Sequence, residues 1–372
     1  MTQDVSLFGK IKQSGQWWLN PWWLKEDSKY TKNQIIIAFQ KLKKTFDDKW
    51  FRSQFGRSNP HPIWEDLFGS FPFVLDDLVK LGLDLKEIEN CKNVDRVIKN
   101  LKSASEYLST RSVIEVSAEL KRKRFDIFFE PEVTIKTTKY NPDFYTENKN
   151  GIIYFEIKTL YTSAKERVKS ELMDKVYQSL TEKFRSLSFQ VDLETCPDFW
   201  KKINVGKIDP FHQLPMDIIT TLDHIAKNIA QSVIKIGNSG ELPCKVEIEK
   251  VIITIKRSEN KTHLRIGRSL RSLESEFKRA IRNLVKKARK QLPPDNPGII
   301  GIKLFTLEPS FKGNRDLALE FFLTEFQNSP PKYAHIVGII LILNSYPVQY
   351  EKRIIMNPYT KFKTIGKNCG IF

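Results

Sequence analysis

Two runs of sequence decide the fold prediction: Asn141-Pro-Asp-Phe144 and Gly151-Ile-Ile-Tyr-Phe-Glu-Ile-Lys-Thr-Leu160. Both have the composition of extended chain, and the Asn150-Gly151 step between them is a strong signal for a tight hairpin turn. Side chains alternate along a strand, so Ile153, Phe155 and Ile157 of the second run share one face. The sequence therefore predicts a hairpin whose apolar face can be buried.

Three charged side chains meet on the other face of this hairpin. Glu156 and Lys158 point together out of the sheet, and the turn brings Asp143 back beside them. Two adjacent carboxylates repel each other unless they share a cation. Mg²⁺ takes oxygen ligands, so Asp143, Glu156 and the backbone carbonyl of Ile157 form a candidate site for it, and Mn²⁺ could take its place. Lys158 would lie near an attacking water or a scissile phosphate.

The context of these residues singles them out. The sequence contains five Glu-x-Lys triplets and three Pro-Asp pairs. Only the triplet at Glu156 lies in a strongly apolar strand, and only Asp143 precedes that strand across a tight turn. A hairpin with Glu and Lys on its solvent face also occurs in proteins that cleave nothing, where cross-strand ion pairs stabilise the sheet modestly.

This combination resembles the motif of the PD-(D/E)XK nuclease superfamily, which has the restriction-endonuclease-like fold. The similarity covers roughly residues 106–160 and, more loosely, the helix and strand at 269–305. It implies that Asp143 and Glu156 bind the divalent metal and that Lys158 assists the water. Members often have a further glutamate on the helix before the first strand. Glu115 or Glu119 could fill that role, and Glu115 is preferred because Glu119 lies nearer the basic end of the helix.

The expected fold class is α/β, a restriction-endonuclease-like mixed sheet flanked by helices. Residues 1–104 read as helical and predict an N-terminal helical domain, with one helix that starts at Phe73 and ends at Gly82. The nuclease-like domain would span 105–372. Its core needs one more helix and strand, supplied by 165–194 or 269–305. The second pair is favoured because the strand at 298–305 is apolar on both faces, which makes 162–267 an insertion.

The charge of the chain favours a polyanionic partner. Lys and Arg number 61 against 44 Asp and Glu, a net charge of +17. Candidate phosphate contacts lie in two helices: Arg282, Lys286 and Arg289 in the predicted helix 269–291, and Lys121 and Arg122 at the end of the helix that carries Glu115. A solvated helix face and a helix C-terminus also favour basic residues, so both interpretations stay open.

Several classes of protein are excluded by patterns that the sequence lacks. No run approaches the ~18–20 apolar residues of a membrane span. The N-terminus has no apolar segment followed by a cleavage site, so we expect a cytoplasmic protein. Cysteines and histidines lack metal-site spacing, and P-loop, dinucleotide-binding and hydrolase motifs are missing.

The sequence therefore predicts a Mg²⁺-dependent endonuclease that hydrolyses phosphodiester bonds in DNA, in restriction or another defence role or in DNA repair. The main alternative is a non-cleaving nucleic-acid-binding protein that retains the nuclease fold. A protein that binds an acidic protein partner through its basic faces is a further alternative, and RNA stays open as a substrate. Palindromic cleavage of both strands would call for a symmetric homodimer.

Overall fold

The computed structural model describes residues 29–54, 61–68, 72–148, 151–160, 164–181, 189–203, 214–239, 242–257, 265–267, 278–306, 315–345 and 349–363. The chain divides into two compact units. The first unit joins Met1–Leu160 to Leu273–Phe372, and the second unit is Tyr161–Ser272. The second unit is thus inserted into the first, with bounds close to the 162–267 that the sequence predicts for an insertion.

Helices fill the first part of the first unit. Those described before its first strand are α1 (Lys32–Thr45), α2 (Asp48–Ser53), α3 (Ile63–Phe68), α4 (Pro72–Glu87), α5 (Val94–Leu101) and α6 (Tyr107–Arg122). A capping box starts α1, because the Thr31 hydroxyl accepts from the Gln34 N–H and the Gln34 side chain accepts from the Thr31 N–H. Apolar residues of these helices form one continuous core with the sheet. The predicted N-terminal helical domain, 1–104, is therefore part of the same unit as the sheet.

Strands follow α6, namely β1 (Asp126–Phe129), β2 (Val133–Ile135), β3 (Thr138–Tyr140), β4 (Phe144–Asn148) and β5 (Gly151–Leu160). β4 and β5 are antiparallel, with Phe144 opposite Phe155 and Asn148 opposite Gly151. This is the predicted hairpin. Gly151 has a φ of 112°, which a residue with a Cβ rarely adopts. β2 and β3 form a two-stranded antiparallel ribbon between β1 and β4 in the chain.

The second unit has its own sheet and its own core. Its described elements are α7 (Ala164–Thr181), β6 (Phe189–Thr195), α8 (Pro197–Ile203), α9 (Met216–Ser239), β7 (Cys244–Ile248), β8 (Val251–Arg257) and β9 (Arg265–Gly267). The strand order in its sheet is β7-β8-β6-β9. Its apolar core is built from residues between Val168 and Ile255, all within this unit.

The chain then returns to the first unit with a helix that we call the basic helix, described over 278–291. It contains a π-helical turn, Ile281–Val285, followed by α10 (Lys286–Gln291). The remaining elements are β10 (Gly298–Thr306), α11 (Arg315–Asn328), α12 (Pro330–Tyr333), β11 (Ile336–Ser345) and β12 (Gln349–Met356).

The sheet of the first unit has six strands in the order β1-β4-β5-β10-β11-β12. β5, β10 and β11 are parallel to one another, whereas the pairs β1–β4, β4–β5 and β11–β12 are antiparallel. β10 lies directly beside β5, whereas β6, the strand of the alternative pair 165–194, belongs to the sheet of the second unit. The first unit is therefore a mixed α/β structure with helices against its sheet.

The two faces of this sheet are covered by different elements. Phe155 and Ile157 of β5 pack into the core shared with the N-terminal helices, and we call this side the helical face. Tyr154 of β5 packs into a second core with residues of the basic helix and α11, and we call this side the motif face. Alternation along β5 places Glu156 and Lys158 on the motif face with Tyr154.

Gly82 does not end a helix as the sequence predicts, because α4 continues to Glu87. A Cβ at Gly82 would lie 2.4 Å from the carbonyl oxygen of Ala38 in α1. The glycine thus lets two helix backbones approach closely, a requirement that a single-helix pattern does not show. Among the described helices, none is long and apolar enough to cross a membrane.

Candidate active site

Asp143 lies immediately before β4, at the point where that strand begins beside β5. The Ile157 N–H donates to Asp143 Oδ2 at 2.6 Å, and the Asp143 N–H donates to the Phe155 carbonyl at 3.0 Å. Pairing of β4 with β5 begins one residue later, at Phe144. The Asp143 carboxylate therefore takes the place of a strand partner for the Ile157 N–H, and this fixes its position against β5.

Glu156 is completely buried, which differs from the solvent-facing position that the sequence predicts for it. Its exposure is 0%, whereas the Lys158 side chain keeps 26% of its surface exposed. The difference arises because helices cover the motif face as well as the helical face. Glu156 Oε1 is in ion-pair contact with Lys158 Nζ, but neither carboxylate oxygen accepts a hydrogen bond from the described residues.

Burial and mutual repulsion dominate the electrostatics of the two acids. Burial raises the pKa of Glu156 above its ordinary value, and the charge of Asp143 raises it further, against the opposing effect of Lys158. Burial likewise raises the pKa of Asp143, although Lys158 and the Ile157 N–H oppose it. Burial disfavours the Lys158 ammonium, but Glu156 and Asp143 outweigh that effect and raise its pKa. The cluster therefore has one cation for two acids, the buried Glu156 and the partly buried Asp143.

The donor set of this cluster fits a hard divalent cation. Glu156 has a buried oxygen without a hydrogen bond, and Asp143 lies beside it. The N–H and carbonyl of one strand residue point to the same side, so the Ile157 carbonyl points toward Asp143 with its N–H. No group of three or more His, Cys, Asp or Glu that could hold a metal occurs within the described ranges. Mg²⁺ does not need one, because it is commonly held by one or two carboxylates with water and substrate phosphates.

Glu115 does not join this cluster, in contrast to the sequence expectation. Glu115 Oε2 accepts from Lys303 Nζ at 2.6 Å, and Lys303 lies opposite Thr159 in the sheet register. The Thr159 hydroxyl in turn lies 2.8 Å from the hydroxyl of Ser112 in α6. These contacts place Glu115 on the helical face, across the sheet from Glu156.

Glu119, the other candidate for the extra acid, also has a partner elsewhere. Its Oε1 pairs with Lys352 Nζ of β12 at 2.7 Å. Both glutamates lie within α6, whose inner stripe packs on the helical face. An acid from the interior of this helix therefore does not reach Lys158 on the other side of the sheet.

Glu106 and Glu130 are the acids that sequence reasoning missed. Glu106 immediately precedes α6 and is exposed, and its charge raises the pKa of both Asp143 and Lys158. Glu130 follows β1, donates its N–H to the Asp143 carbonyl at 2.8 Å, and also raises the Asp143 pKa. The sequence feature that could have identified Glu106 is its position at the N-terminal end of α6, because that end of the helix lies nearest Asp143 and Lys158.

The basic helix lies on the same face of the sheet as the acidic cluster. Its inner residues Ala280, Ile281, Val285 and Ala288 pack into the motif-face core, while Arg282 and Lys286 are exposed. Lys286 Nζ lies 3.8 Å from Glu325 Oε1 and keeps 52% of its side chain exposed. Arg282 and Lys286 therefore remain candidate phosphate contacts.

Arg289 is engaged within the fold, unlike Arg282. Its Nη1 donates to the Lys332 carbonyl at 3.3 Å, and its guanidinium lies 5.2 Å from the centre of the Tyr333 ring. These contacts give Arg289 a structural role that links the basic helix to α12. An arginine that served only to bind phosphate would not need these two contacts within the protein.

Lys121 and Arg122 lie away from the acidic cluster. Lys121 Nζ pairs with Asp126 at 3.2 Å, and Asp126 lies opposite Glu147, at the end of β4 remote from Asp143. Arg122 Nη1 pairs with the buried Asp84 of α4 at 2.9 Å. The structure thus gives this pair intramolecular partners at the other end of the sheet.

Comparison with known proteins adds no relative to these observations. No known protein family matches this chain, and no curated protein or solved structure matches it.

Proposed function

We propose that this protein is a metal-dependent nuclease that hydrolyses phosphodiester bonds in DNA, with the first unit as a restriction-endonuclease-like core. The observation that carries the proposal is the fully buried Glu156 carboxylate, beside Asp143 and Lys158, where β4 begins against β5. An isolated buried charge is costly unless a partner compensates it. Two acids with one lysine leave a deficit of positive charge that a divalent cation would fill.

The order of elements supports the proposed core. Helix α6 is followed by β1, β4 and β5, and the basic helix and β10 then complete the sequence of helix, three strands, helix and strand. This is the order that the resemblance to the PD-(D/E)XK superfamily implies. The parallel pairing of β5 with β10 brings together two parts of the core that are separated in the chain by the second unit.

Asp143, Glu156 and the Ile157 carbonyl would hold Mg²⁺ or Mn²⁺. When bound, such a cation polarises a phosphoryl oxygen and lowers the pKa of a coordinated water. Lys158 remains an ammonium at neutral pH, because the two carboxylates raise its pKa. As an ammonium it would donate a hydrogen bond that orients water or stabilises charge on the scissile phosphate.

A cleavage assay tests the proposal. Purified wild type, Asp143→Ala and Lys158→Ala are incubated with supercoiled, linear and single-stranded DNA and with RNA, in Mg²⁺, Mn²⁺ or EDTA. We expect metal-dependent cutting of DNA that both substitutions reduce by at least about 100-fold, the scale on which a positioned catalytic group contributes. Lys256→Ala, which removes an exposed strand lysine from the second unit, is the matched control and should cut like wild type.

Two outcomes would contradict the proposal. Undiminished cutting by Asp143→Ala would show that the activity belongs to another site. Salt-sensitive DNA binding without cleavage of any substrate would instead favour the alternative, a non-cleaving nucleic-acid-binding protein.

A further inference from the structure

The β2–β3 ribbon projects basic side chains from the segment that leads into the acidic cluster. Val133 pairs with Tyr140, Thr134 with Lys139, and Ile135 with Thr138, so Lys136 and Thr137 form the turn. The ribbon ends at Tyr140, three residues before Asp143. No acidic residue occurs from 133 to 140. Whatever binds this ribbon is therefore held close to the proposed catalytic residues.

The two faces of the ribbon differ. Val133 and Tyr140 lie on one face and are partly buried, and Val133 packs against the motif-face core. Thr134 and Lys139 lie on the opposite face and are exposed, as is Lys136 at the turn. The ribbon is thus anchored on the side of the sheet that carries Glu156, with its basic face outward.

The ribbon and the basic helix contact the same motif-face core. Leu284 of the basic helix packs against it, as Val133 of the ribbon does. Two positively charged elements, one with Lys136 and Lys139 and the other with Arg282 and Lys286, therefore belong to the face that carries the acidic cluster. This arrangement fits a polyanion whose scissile group lies at Asp143 and Glu156.

Lys136 occupies a backbone conformation that disfavours lysine. Its φ is 56°, in the left-handed region where glycine or asparagine is more stable. Glu130, Glu249 and Lys250 share a positive φ, and each of their side chains has a hydrogen bond or ion pair with another residue. Within the described ranges, Lys136 and Lys139 have no such partner. A lysine at this turn does not stabilise the fold through its side chain, so its charge is available to a ligand.

We propose that the β2–β3 ribbon binds duplex DNA, with the ribbon in a groove and the Lys136 and Lys139 ammonium groups against phosphates. The major groove of B-form DNA admits a two-stranded β-ribbon, whereas the deep, narrow groove of an RNA duplex does not. The inference rests on the proposed function for its substrate class. Beyond that function, it identifies the β2–β3 ribbon as the element that holds the duplex at the acidic cluster.

Equilibrium binding without catalysis tests this inference. Wild type and variants are titrated into a labelled DNA duplex of about 30 base pairs, roughly three helical turns, in EDTA at several salt concentrations. Lys136→Gly removes the charge and relieves the backbone, so its Tm should be equal to or above that of wild type. Its duplex affinity should fall roughly fivefold, and the slope of log K against log salt should decrease by about one.

Lys250→Gly is the matched control. Lys250 also has a positive φ, 65°, at a hairpin turn, but it lies in the second unit. The Lys250→Gly substitution removes the same charge from the same backbone conformation. Because the change lies outside the ribbon, this variant should keep the wild-type affinity and salt slope. Lys139→Ala, at a position with ordinary backbone, should weaken binding as Lys136→Gly does.

The possible results separate this inference from the proposed function. Equal loss of affinity in Lys136→Gly and Lys250→Gly would mean that only net charge matters and would overturn the inference. Unchanged affinity in Lys136→Gly and Lys139→Ala, or a wild type that does not bind the duplex, would overturn it too. Binding that depends on the ribbon, in a protein that cleaves nothing, would support the ribbon and refute the nuclease.

Discussion

A single carboxylate, that of Glu156, has the least favourable environment among the acids of the proposed site. It has no exposed surface and lies next to a second acid, so its charged form is disfavoured at neutral pH. A purely structural Glu–Lys pair would be expected to stabilise the protein through that charge. If Glu156 is instead a ligand of a divalent cation, its charge should make the metal-free protein less stable.

We therefore expect Glu156→Gln to stabilise the metal-free protein by about 1–2 kcal/mol at pH 8, because the Glu156 pKa is raised and each unit of that rise disfavours the charged acid by about 1.4 kcal/mol. Because the folded pKa is raised, the advantage should shrink as the pH falls and the wild-type acid becomes protonated. Thermal unfolding with and without Mn²⁺ measures both effects, and Mn²⁺ should raise the Tm of wild type only. Glu119→Gln is the control. Destabilisation of Glu156→Gln without Mn²⁺ would indicate a structural ion pair.

His61 provides a separate test at the residue scale. It is 1% exposed, its Nδ1 accepts from the Ile63 N–H, and its Nε2 lies 3.0 Å from the Leu101 carbonyl. Because Nδ1 accepts a hydrogen bond, it carries no proton and the imidazole ring is neutral. Burial lowers the His61 pKa to about 4. The ring also contacts the aromatic side chains of Trp50 and Tyr107.

Between pH 6.5 and 4, the unfolded chain binds a proton at His61 that the folded chain does not. Stability should therefore fall with decreasing pH in this window, by about 1.4 kcal/mol per unit at most from this group. His61→Gln should show a shallower pH dependence, whatever its absolute stability. Urea unfolding of both proteins from pH 7 to pH 4.5 measures the difference in slope. Parallel curves would show that the ring takes up a proton as readily in the folded protein as in the unfolded chain, which contradicts a lowered pKa.

The residues of the acidic cluster could be predicted because their geometry is local. Asp143, Glu156 and Lys158 belong to one hairpin, and strand alternation alone places the last two on one face. The acid of α6 could not be predicted in this way. Glu115 and Glu119 share a helical stripe, but which sheet face that stripe meets depends on the packing of α6, which the sequence pattern does not contain.

At the scale of elements, α4, α6 and β10 are joined by a chain of charges that are buried except for the partly exposed Lys80. Lys303 pairs with Glu115, Glu115 with Lys80 at 3.2 Å, and Lys80 with Asp84 at 2.7 Å. Burial by itself would raise the pKa of Glu115, but Lys303 and Lys80 outweigh it and lower that pKa to about 2. This chain fixes how the helices lie on the helical face.

Glu115→Gln should destabilise the protein by about 3–5 kcal/mol, because it removes the buried carboxylate that pairs with the buried Lys303 ammonium. The folded pKa of Glu115 is lowered, so its contribution is present above the ordinary pKa of the acid and is lost as the pH falls toward 2. Urea unfolding measures the loss. Glu119→Gln, one turn away and partly exposed, should cost less than about 1 kcal/mol. A loss of Mn²⁺ binding in folded Glu115→Gln would return this residue to the metal site.

The contact between α1 and α4 leads to a second prediction at this scale. Gly82→Ala would put a methyl group against the Ala38 backbone, which cannot rotate away, and should cost about 2–3 kcal/mol or more. Lys86→Ala, an exposed substitution in the same helix, should be nearly neutral. Thermal unfolding compares the two. Equal stability of wild type and Gly82→Ala would mean that the helices can separate without cost.

The boundaries of elements were predicted less well than their existence. A glycine near the end of an apolar helical run resembles a C-terminal cap, and the sequence around Gly82 does not reveal that another helix crosses there. The strand β10, by contrast, was recognisable because a strand between two parallel neighbours is apolar on both faces.

At the scale of the whole molecule, the two units have separate apolar cores. The core of the second unit consists of residues between Val168 and Ile255, whereas those of the first unit lie outside that range. Ile253→Ala should create a cavity in the second unit at a cost of about 2–5 kcal/mol. Hydrogen exchange followed by mass spectrometry should then show faster exchange in β6 and β8 and unchanged protection in β10 and β11.

Ile340→Ala is the reciprocal variant, because Ile340 is buried in the core of the first unit. It should raise exchange in β10 and β11 and leave β6 and β8 unchanged. If either substitution loosened both sheets equally, the chain would unfold as one cooperative body.

The position of the second unit has a consequence for synthesis on the ribosome. β5 is made before the second unit and β10 after it, so the central parallel pair of the sheet cannot form until nearly the whole chain has emerged. Until then the β4–β5 hairpin has an unpaired apolar edge, which is prone to pair with other chains. Products of premature termination within Tyr161–Ser272 should therefore aggregate, and the acidic cluster acquires its buried environment only in completed chains.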